Sequence, residues 1–231
     1  ELLSAVPIKL PTLDLCCGDG FLASLVYSDR IDTGCDISFQ ALRRATTRGV
    51  YSGVARCDAT QVLPYASESF WSVVSNSSLE HLSDVERCLK EIARILKPGG
   101  RLCFTLASHY AYEWWPCGRE ALNQYLEFQP VYSHFSAEER KRRMESAGLH
   151  VIDHQYYLSK KDTRLFLFLD YHFSHVYLTS DQTLARPFIR AMRKIPRKVW
   201  ASLWRSIFAG IRILTSSNGG GILVIAERSE R

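Results

Sequence analysis

The stretch LDLCCGDG, Leu13 to Gly20, runs from apolar residues into two adjacent cysteines and then packs Gly18, Asp19 and Gly20 together. It reads either as a thiol site or as a glycine turn that happens to carry sulfur. The other cysteines bear on the choice. There are seven, Cys16, Cys17, Cys35, Cys57, Cys88, Cys103 and Cys117, an odd number without a CxxC pair. That spacing argues against a disulfide framework and against a zinc site, and no metal is expected. The thiols read as reduced side chains of a cytoplasmic protein, serving mostly as small apolar residues. The stretch is then a turn from a strand into a helix, which is where a parallel sheet takes a nucleotide.

Outward from this turn the pattern repeats. Residues 12–17 form a buried strand, and helical residues follow to about Tyr27. Strands are expected at Ile31–Asp36, Gly53–Cys57, Ser69–Asn76, Arg101–Leu106, Leu149–Tyr157 and Gly221–Ala226. Helices are expected at Ser38–Arg48, Ser83–Leu96 and Ser136–Ala147. In the second of these Val85, Leu89, Ile92, Ala93 and Leu96 recur at helical spacing. Ser83 is its expected cap, Glu86 completes a capping box, and Pro98-Gly99-Gly100 stops it. Strand alternating with helix predicts an α/β fold with a parallel sheet covered on both faces. Two stretches break the rhythm, the aromatic-rich 108–135 and a mostly helical excursion over 160–218. Both read as substrate-side elaborations of one domain spanning 1–231, with its cofactor-binding core at 12–107. At 231 residues the chain needs no covalent staple. No apolar run reaches the ~20 residues of a membrane-spanning helix, and no secretory signal is visible.

The acids sharpen the reading. Gly18-x-Gly20-x-x-Ala23 alone fits the general dinucleotide pattern only weakly. Asp36 ends the second strand, where a carboxylate can accept from both ribose hydroxyls. Asp58 follows the third, placed for an adenine amino group. Asp14 lies just before the turn, where it would repel a pyrophosphate but suit the positive amino group of a methionine tail. The ladder favours S-adenosylmethionine over NAD.

TLDLCCGDG, GCDIS, RCDATQVLPYASESF and SVVSNSSLEHLSDVERCLKEIARILKPGGRLCFTL resemble, in order, the successive motifs of class I S-adenosylmethionine-dependent methyltransferases, closest to the type 11 group. The match covers about residues 12–107 and fades at YSHFSAEERKRRMESAGLHVI. The resemblance implies a Rossmann-like sheet of seven strands, the last antiparallel, with a helical elaboration before the final strand. It also implies that Asp14, Cys16, Gly18 and Gly20 line the methionine end of the cofactor. Asp36 would hold the ribose, Ile37 would pack on the adenine, and Asp58 with the backbone of Ala59 would read its edge. Asn76 would lie near the methionine portion, with Leu79 and His81 facing the methyl. Two positions depart from the family. Cys16 replaces the usual glycine, which implies a backbone angle open to ordinary residues. Trp71 stands where an acid is common and is expected to cover a sheet edge.

Methyl transfer is an in-line displacement that needs alignment in a water-poor cleft, and a base only where the acceptor must lose a proton. The candidates for base or substrate contact are His81, His109, Tyr110 and His134. Glu80 reads as structural or methionine-side. His172 and His175 share a helix face without a third ligand. The acceptor reads as a small molecule, glycan or lipid-like compound, methylated at oxygen. The net charge of +5 is too mild to imply nucleic acid, and no Asn-Pro-Pro-Tyr type motif follows the fourth strand. Over 184–214 Trp200, Leu203, Ile207, Ile211 and Leu214 face away from Lys198, Arg205 and Arg212. Such a basic amphipathic helix either packs on the domain or contacts an anionic membrane. The rival functions are an NAD-dependent oxidoreductase and a non-catalytic S-adenosylmethionine-binding protein. Oligomeric state is open.

Overall fold

The computed structural model describes residues 2–133, 135–178 and 217–229. His134 and the basic helix expected at 184–214 lie outside the described residues. Seven strands form one sheet: β1 (Thr12–Leu15), β2 (Ile31–Asp36), β3 (Tyr51–Arg56), β4 (Phe70–Asn76), β5 (Leu96–Ala107), β6 (Leu149–Tyr157) and β7 (Gly221–Arg228). Their order is β3-β2-β1-β4-β5-β7-β6. β1 pairs in parallel with β2 and β4, β2 with β3, and β4 with β5. β7 runs the other way, as two bonds on β6 show: Gly220 N donates to Leu158 O at 3.0 Å and Ser229 N to Gly148 O at 3.2 Å. The start of one strand thus meets the end of the other, and the expected seven-strand sheet with an antiparallel last strand is present.

The strand order reverses between β1 and β4, and the carboxyl ends of strands part at such a point to leave a crevice. Asp14 sits there, in register with Gly34 on one side and Val74 on the other. Every residue of β1 is buried, Thr12 and Asp14 along with Leu13 and Leu15, as expected of a central strand covered on both faces.

The helices are α1 (Leu2–Ala5), α2 (Phe21–Val26), α3 (Phe39–Arg48), α4 (Val85–Ile95), α5 (His109–Glu113), α6 (Gly118–Phe128), α7 (Ala137–Ser146) and α8 (Lys160–Leu178). Ser38 caps α3 by accepting from Ala41 N, and Gly49 closes it at φ 71°. α4 buries Cys88, Leu89, Ile92, Ala93 and Ile95, each large aliphatic side chain contributing about 1.5–3 kcal/mol when fully covered. Its cap is Asp84 rather than Ser83: the Asp84 carboxylate accepts from Arg87 N at 3.0 Å. A carboxylate at that position also meets the positive end of the helix dipole, and Glu86 is left to pair with Arg143. Asp84→Ala is expected to cost about 1 kcal/mol and Ser83→Ala less than about 0.5 kcal/mol, as urea unfolding would measure.

Two further expectations are corrected. β5 starts at Leu96 instead of Arg101, and Pro98-Gly99-Gly100 lies inside it. A register shift against Phe70 and Ser72 absorbs the irregularity, and the close approach of Gly100 to Lys97 leaves no room for a Cβ there. Trp71 covers no sheet edge, because β4 is central. Its ring instead carries the Lys9 ammonium 3.4 Å from its centroid.

The chain divides into two compact units, the first being Glu1–His109, Val131–Gln155 and Ile222–Arg231, the second Tyr110–Pro130 and Tyr156–Gly221. In the second, the aromatic stretch contributes α6 and packs its rings together. Trp115 meets Tyr125 and Tyr171 at 4.8 and 5.8 Å between ring centroids, and Tyr125 OH donates to Asp170 at 2.6 Å. No helix among the described residues is long and apolar enough to cross a membrane.

Candidate functional site

The turn after β1 is built from left-handed residues: Cys16 at φ 59°, Gly18 at φ 56° and Gly20 at φ 72°. The expectation of an ordinary angle at Cys16 is therefore wrong. The chain must bend sharply out of a buried strand into α2, and position 16 takes the bend with its Cβ present. An L-residue in this conformation costs on the order of 1–2 kcal/mol. Cys17 N donates to Cys35 O at 2.9 Å and Gly20 N to Cys17 O at 3.1 Å, fixing the turn on β2. Burial pushes the Cys16 thiol far up and the Cys17 thiol up to about 12. Burial thus disfavours the thiolate form that a nucleophilic cysteine needs. Among the described residues no group of three or more His, Cys, Asp or Glu side chains could hold a metal.

A cleft of about 290 Å³ opens at the turn, and Asp14, Cys16, Gly18, Leu22, Tyr27 and Asn76 are among the residues that line it. Asp14 is 9 % exposed. Burial, opposed by the Tyr51 hydrogen bond and reinforced by the nearby charge of Asp36, raises its carboxyl to about 7. Tyr51 OH donates to Asp14 Oδ2 at 2.6 Å. Asp36 closes the turn from β2: its Oδ2 accepts from Gly18 N at 2.9 Å and its Oδ1 from Ser38 N at 2.8 Å. Each oxygen keeps acceptor capacity for a further donor. Asp19 is held by Arg48, whose guanidinium lies 2.8 Å from its carboxylate and depresses its pKa. Asn76 Oδ1 accepts from Thr105 Oγ1, which orients the amide at the end of β4.

The remaining sequence-derived residues are more scattered. Ile37 is 59 % exposed next to Asp36, an apolar side chain uncovered at the edge of the site. Asp58 turns its carboxylate onto Thr60, accepting from both its N and its Oγ1, and these bonds lower its pKa. Ala59 is buried beside it. Leu79 is 2 % exposed and lines an apolar pocket with Leu89, Phe104 and Met144, away from the cleft at the turn. His81 is exposed in the short 3-10 turn Leu79–His81. His109 opens α5, and Tyr110 belongs to the second unit, where it stacks on Trp114 at 5.1 Å. Glu80 is buried. Its Oε1 accepts from Ala107 N at 3.1 Å and its backbone O from Tyr132 N, so it ties the ends of β4 and β5 to the 131–133 segment. Burial pushes its carboxyl up. Sequence reasoning missed Tyr51 and the apolar wall given by Leu22 and Tyr27. Only a hydrophobic residue following the turn and an aromatic opening β3 signal them.

The residues fit S-adenosylmethionine on three observations. A Cβ on Gly18 would meet nothing within 4 Å, so the backbone at the turn faces open space. The Asp14 carboxylate lines the cleft and forms no salt bridge among the described residues, Arg48 pairing with Asp19. An uncovered isoleucine flanks the carboxylate suited to a ribose.

A family profile described as methyltransferase domain matches residues 13–104. The ubiquinone/menaquinone biosynthesis C-methyltransferase of Desulfotalea psychrophila is 37 % identical over 94 residues, 38 % of this chain and 38 % of that protein. The ubiquinone biosynthesis O-methyltransferase of Coxiella burnetii is 28 % identical over 152 residues, 61 % of this chain and 64 % of that protein. The chain thus spans less than two thirds of the length of either relative. An S-adenosylmethionine-dependent methyltransferase of Mesorhizobium loti has the same fold, with a TM-score of 0.60 at 18 % identity over 98 % of this chain and 96 % of that one. Residues 13–104 accordingly match a methyltransferase domain, and the fold is one that S-adenosylmethionine-dependent methyltransferases share.

Proposed function

We propose that the protein is a methyltransferase that uses S-adenosylmethionine to methylate a small-molecule acceptor, at an oxygen of a lipid-like or glycan-like compound. The observation that carries this reading is the buried Asp14 carboxylate at the glycine turn, with Asp36 fixed on Gly18 N. A carboxylate held at the low-dielectric end of a cleft favours a ligand that brings a cation and disfavours a pyrophosphate. When bound, the cofactor supplies a methyl group on an already activated sulfonium carbon. The protein's part is then to hold the reactants in line and exclude water. Asp14 would take the amino group, Asp36 the ribose hydroxyls and Ile37 the adenine face, with Asp58 and Ala59 at its edge. Asn76 would orient the methionine portion. The position of Leu79 in the core supports a packing role for it.

An oxygen acceptor must lose its proton, so a base is part of this reading, drawn from His81, His109, Tyr110 and His134. The two quinone-pathway relatives support a small, membrane-soluble acceptor, one being named as a C- and the other as an O-methyltransferase. The seven unpaired thiols support a reducing, cytoplasmic location.

Calorimetry with S-adenosylhomocysteine and, separately, with NAD tests the cofactor half. Binding of the first alone is expected, and binding of NAD alone would return the oxidoreductase reading. Incubation with methyl-labelled cofactor and a cell extract is expected to label a small organic-soluble product. Cofactor binding with no labelled product from any fraction would leave a non-catalytic binding protein.

A further inference from the structure

We propose that Tyr51 is the positioning residue for Asp14, and that the pair forms a selector for the amino-acid end of the cofactor. The inference rests on the cofactor reading above and goes beyond it by assigning a role to a residue outside the glycine turn and the acid ladder.

The geometry is specific. Tyr51 opens β3, two strands away from Asp14, and its ring must cross β2 to reach it. Gly34 of β2 makes room: a Cβ there would stand 3.1 Å from both Cδ atoms of the Tyr51 ring. Gly20 makes room on the other side, where a Cβ would stand 3.0 Å from Tyr51 Cε2. The ring is thus slotted between two glycines, and its hydroxyl ends 2.6 Å from Asp14 Oδ2. Tyr51 is 5 % exposed, packed with Ala23, Ile31, Ala45 and Val50. The confined phenol donates to Asp14, with the Cys17 thiol also within its reach. It takes one oxygen of the carboxylate and leaves the other for a ligand cation.

The groups around Asp14 are Asp36 from β2 and Tyr51 from β3, which act on it, and Cys16 and Cys17 of the turn and Tyr27 after α2, whose ionisation it helps to suppress. One is a carboxylate and the rest are phenols and thiols whose own ionisation is suppressed. Tyr51 is the one named donor that favours the charged form of Asp14, against burial and Asp36. Its removal therefore raises the pH at which Asp14 ionises. Below that pH a cation pairs with Asp14 progressively more weakly.

The test compares two adenosyl ligands on the wild-type chain and on Tyr51→Phe, which removes one oxygen and keeps the ring. S-adenosylhomocysteine has the amino-acid end, and 5′-methylthioadenosine lacks it. Calorimetry from about pH 5.5 to about pH 8 covers the ionisation of Asp14. In the wild type, affinity for S-adenosylhomocysteine is expected to climb with pH and level off above about 7. In Tyr51→Phe that rise is expected to move to higher pH, with affinity at neutral pH roughly tenfold weaker or worse. Affinity for 5′-methylthioadenosine is expected to stay within about twofold and to be flat with pH in both proteins. An equal loss for both ligands would show a merely structural tyrosine, and an unchanged S-adenosylhomocysteine profile would show no role; either overturns the proposal. If the wild type binds neither ligand, the cofactor reading beneath it is what fails.

Discussion

Asp14→Asn is expected to leave a better-folded protein that no longer binds S-adenosylhomocysteine. The buried carboxyl is harder to ionise in the folded chain than in the unfolded one, its pKa raised from 3.8 to about 7. Stability contributed by this group is therefore full below pH 3.8 and falls as pH climbs to about 7. At about 1.4 kcal/mol per pH unit, the loss is on the order of 4 kcal/mol. Asparagine has nearly the same shape, can still accept from Tyr51, and carries no charge to desolvate. Urea unfolding is expected to show a gain of a few kcal/mol at pH 8 that shrinks towards zero near pH 4. Ligand affinity is expected to drop about a hundredfold or more, because the partner of a buried cation has gone. A variant that loses both stability and binding would contradict this, since it would make Asp14 a structural acid.

The two glycines of the turn are expected to separate folding from binding. At Gly20 an added methyl would stand 3.0 Å from Tyr51 and 3.2 Å from Val50, at φ +72°. Gly20→Ala combines a disfavoured angle with overpacking, a loss of roughly 2–4 kcal/mol. At Gly18 the angle is similar, φ +56°, but a methyl meets nothing within 4 Å. Gly18→Ala is expected to cost only about 1 kcal/mol of stability while weakening S-adenosylhomocysteine at least about tenfold, because the methyl enters the space the ligand needs. Thermal melts and calorimetry on the two variants read these effects side by side. Equal behaviour in both assays would mean that Gly18 does not face the ligand.

The sheet was legible because its information is local. Thr12 to Leu15, Ile31 to Asp36 and Phe70 to Asn76 are short segments that set the strands apart from the helical stretches between them, and the turn between the first and α2 is marked by glycine. The places of the acids at 14, 36 and 58 in or next to β1, β2 and β3 were legible for the same reason. The misreadings concern choices between neighbours or across strands. Ser83 and Asp84 can both cap a helix, and which one does depends on where α4 docks. Cys16 follows the constraint of the bend rather than the preference of its side chain. Tyr51 lies 37 residues from Asp14 and meets it across β2 only because Gly34 is small, a three-strand coincidence that spacing does not announce. The aromatic stretch read only as a substrate-side elaboration, because its helical period is weak. Its rings form a small core within the second unit, with Trp115 between Tyr125 and Tyr171.

The most direct test of the account is a crystal structure of the chain soaked with S-adenosylhomocysteine at a concentration that saturates calorimetric binding. The expected density fills the cleft beside Gly18, with the ligand's amino group on the free oxygen of Asp14 and its ribose hydroxyls on Asp36. A ligand bound anywhere else, or lying in the cleft with its amino-acid end turned away from Asp14, would contradict it.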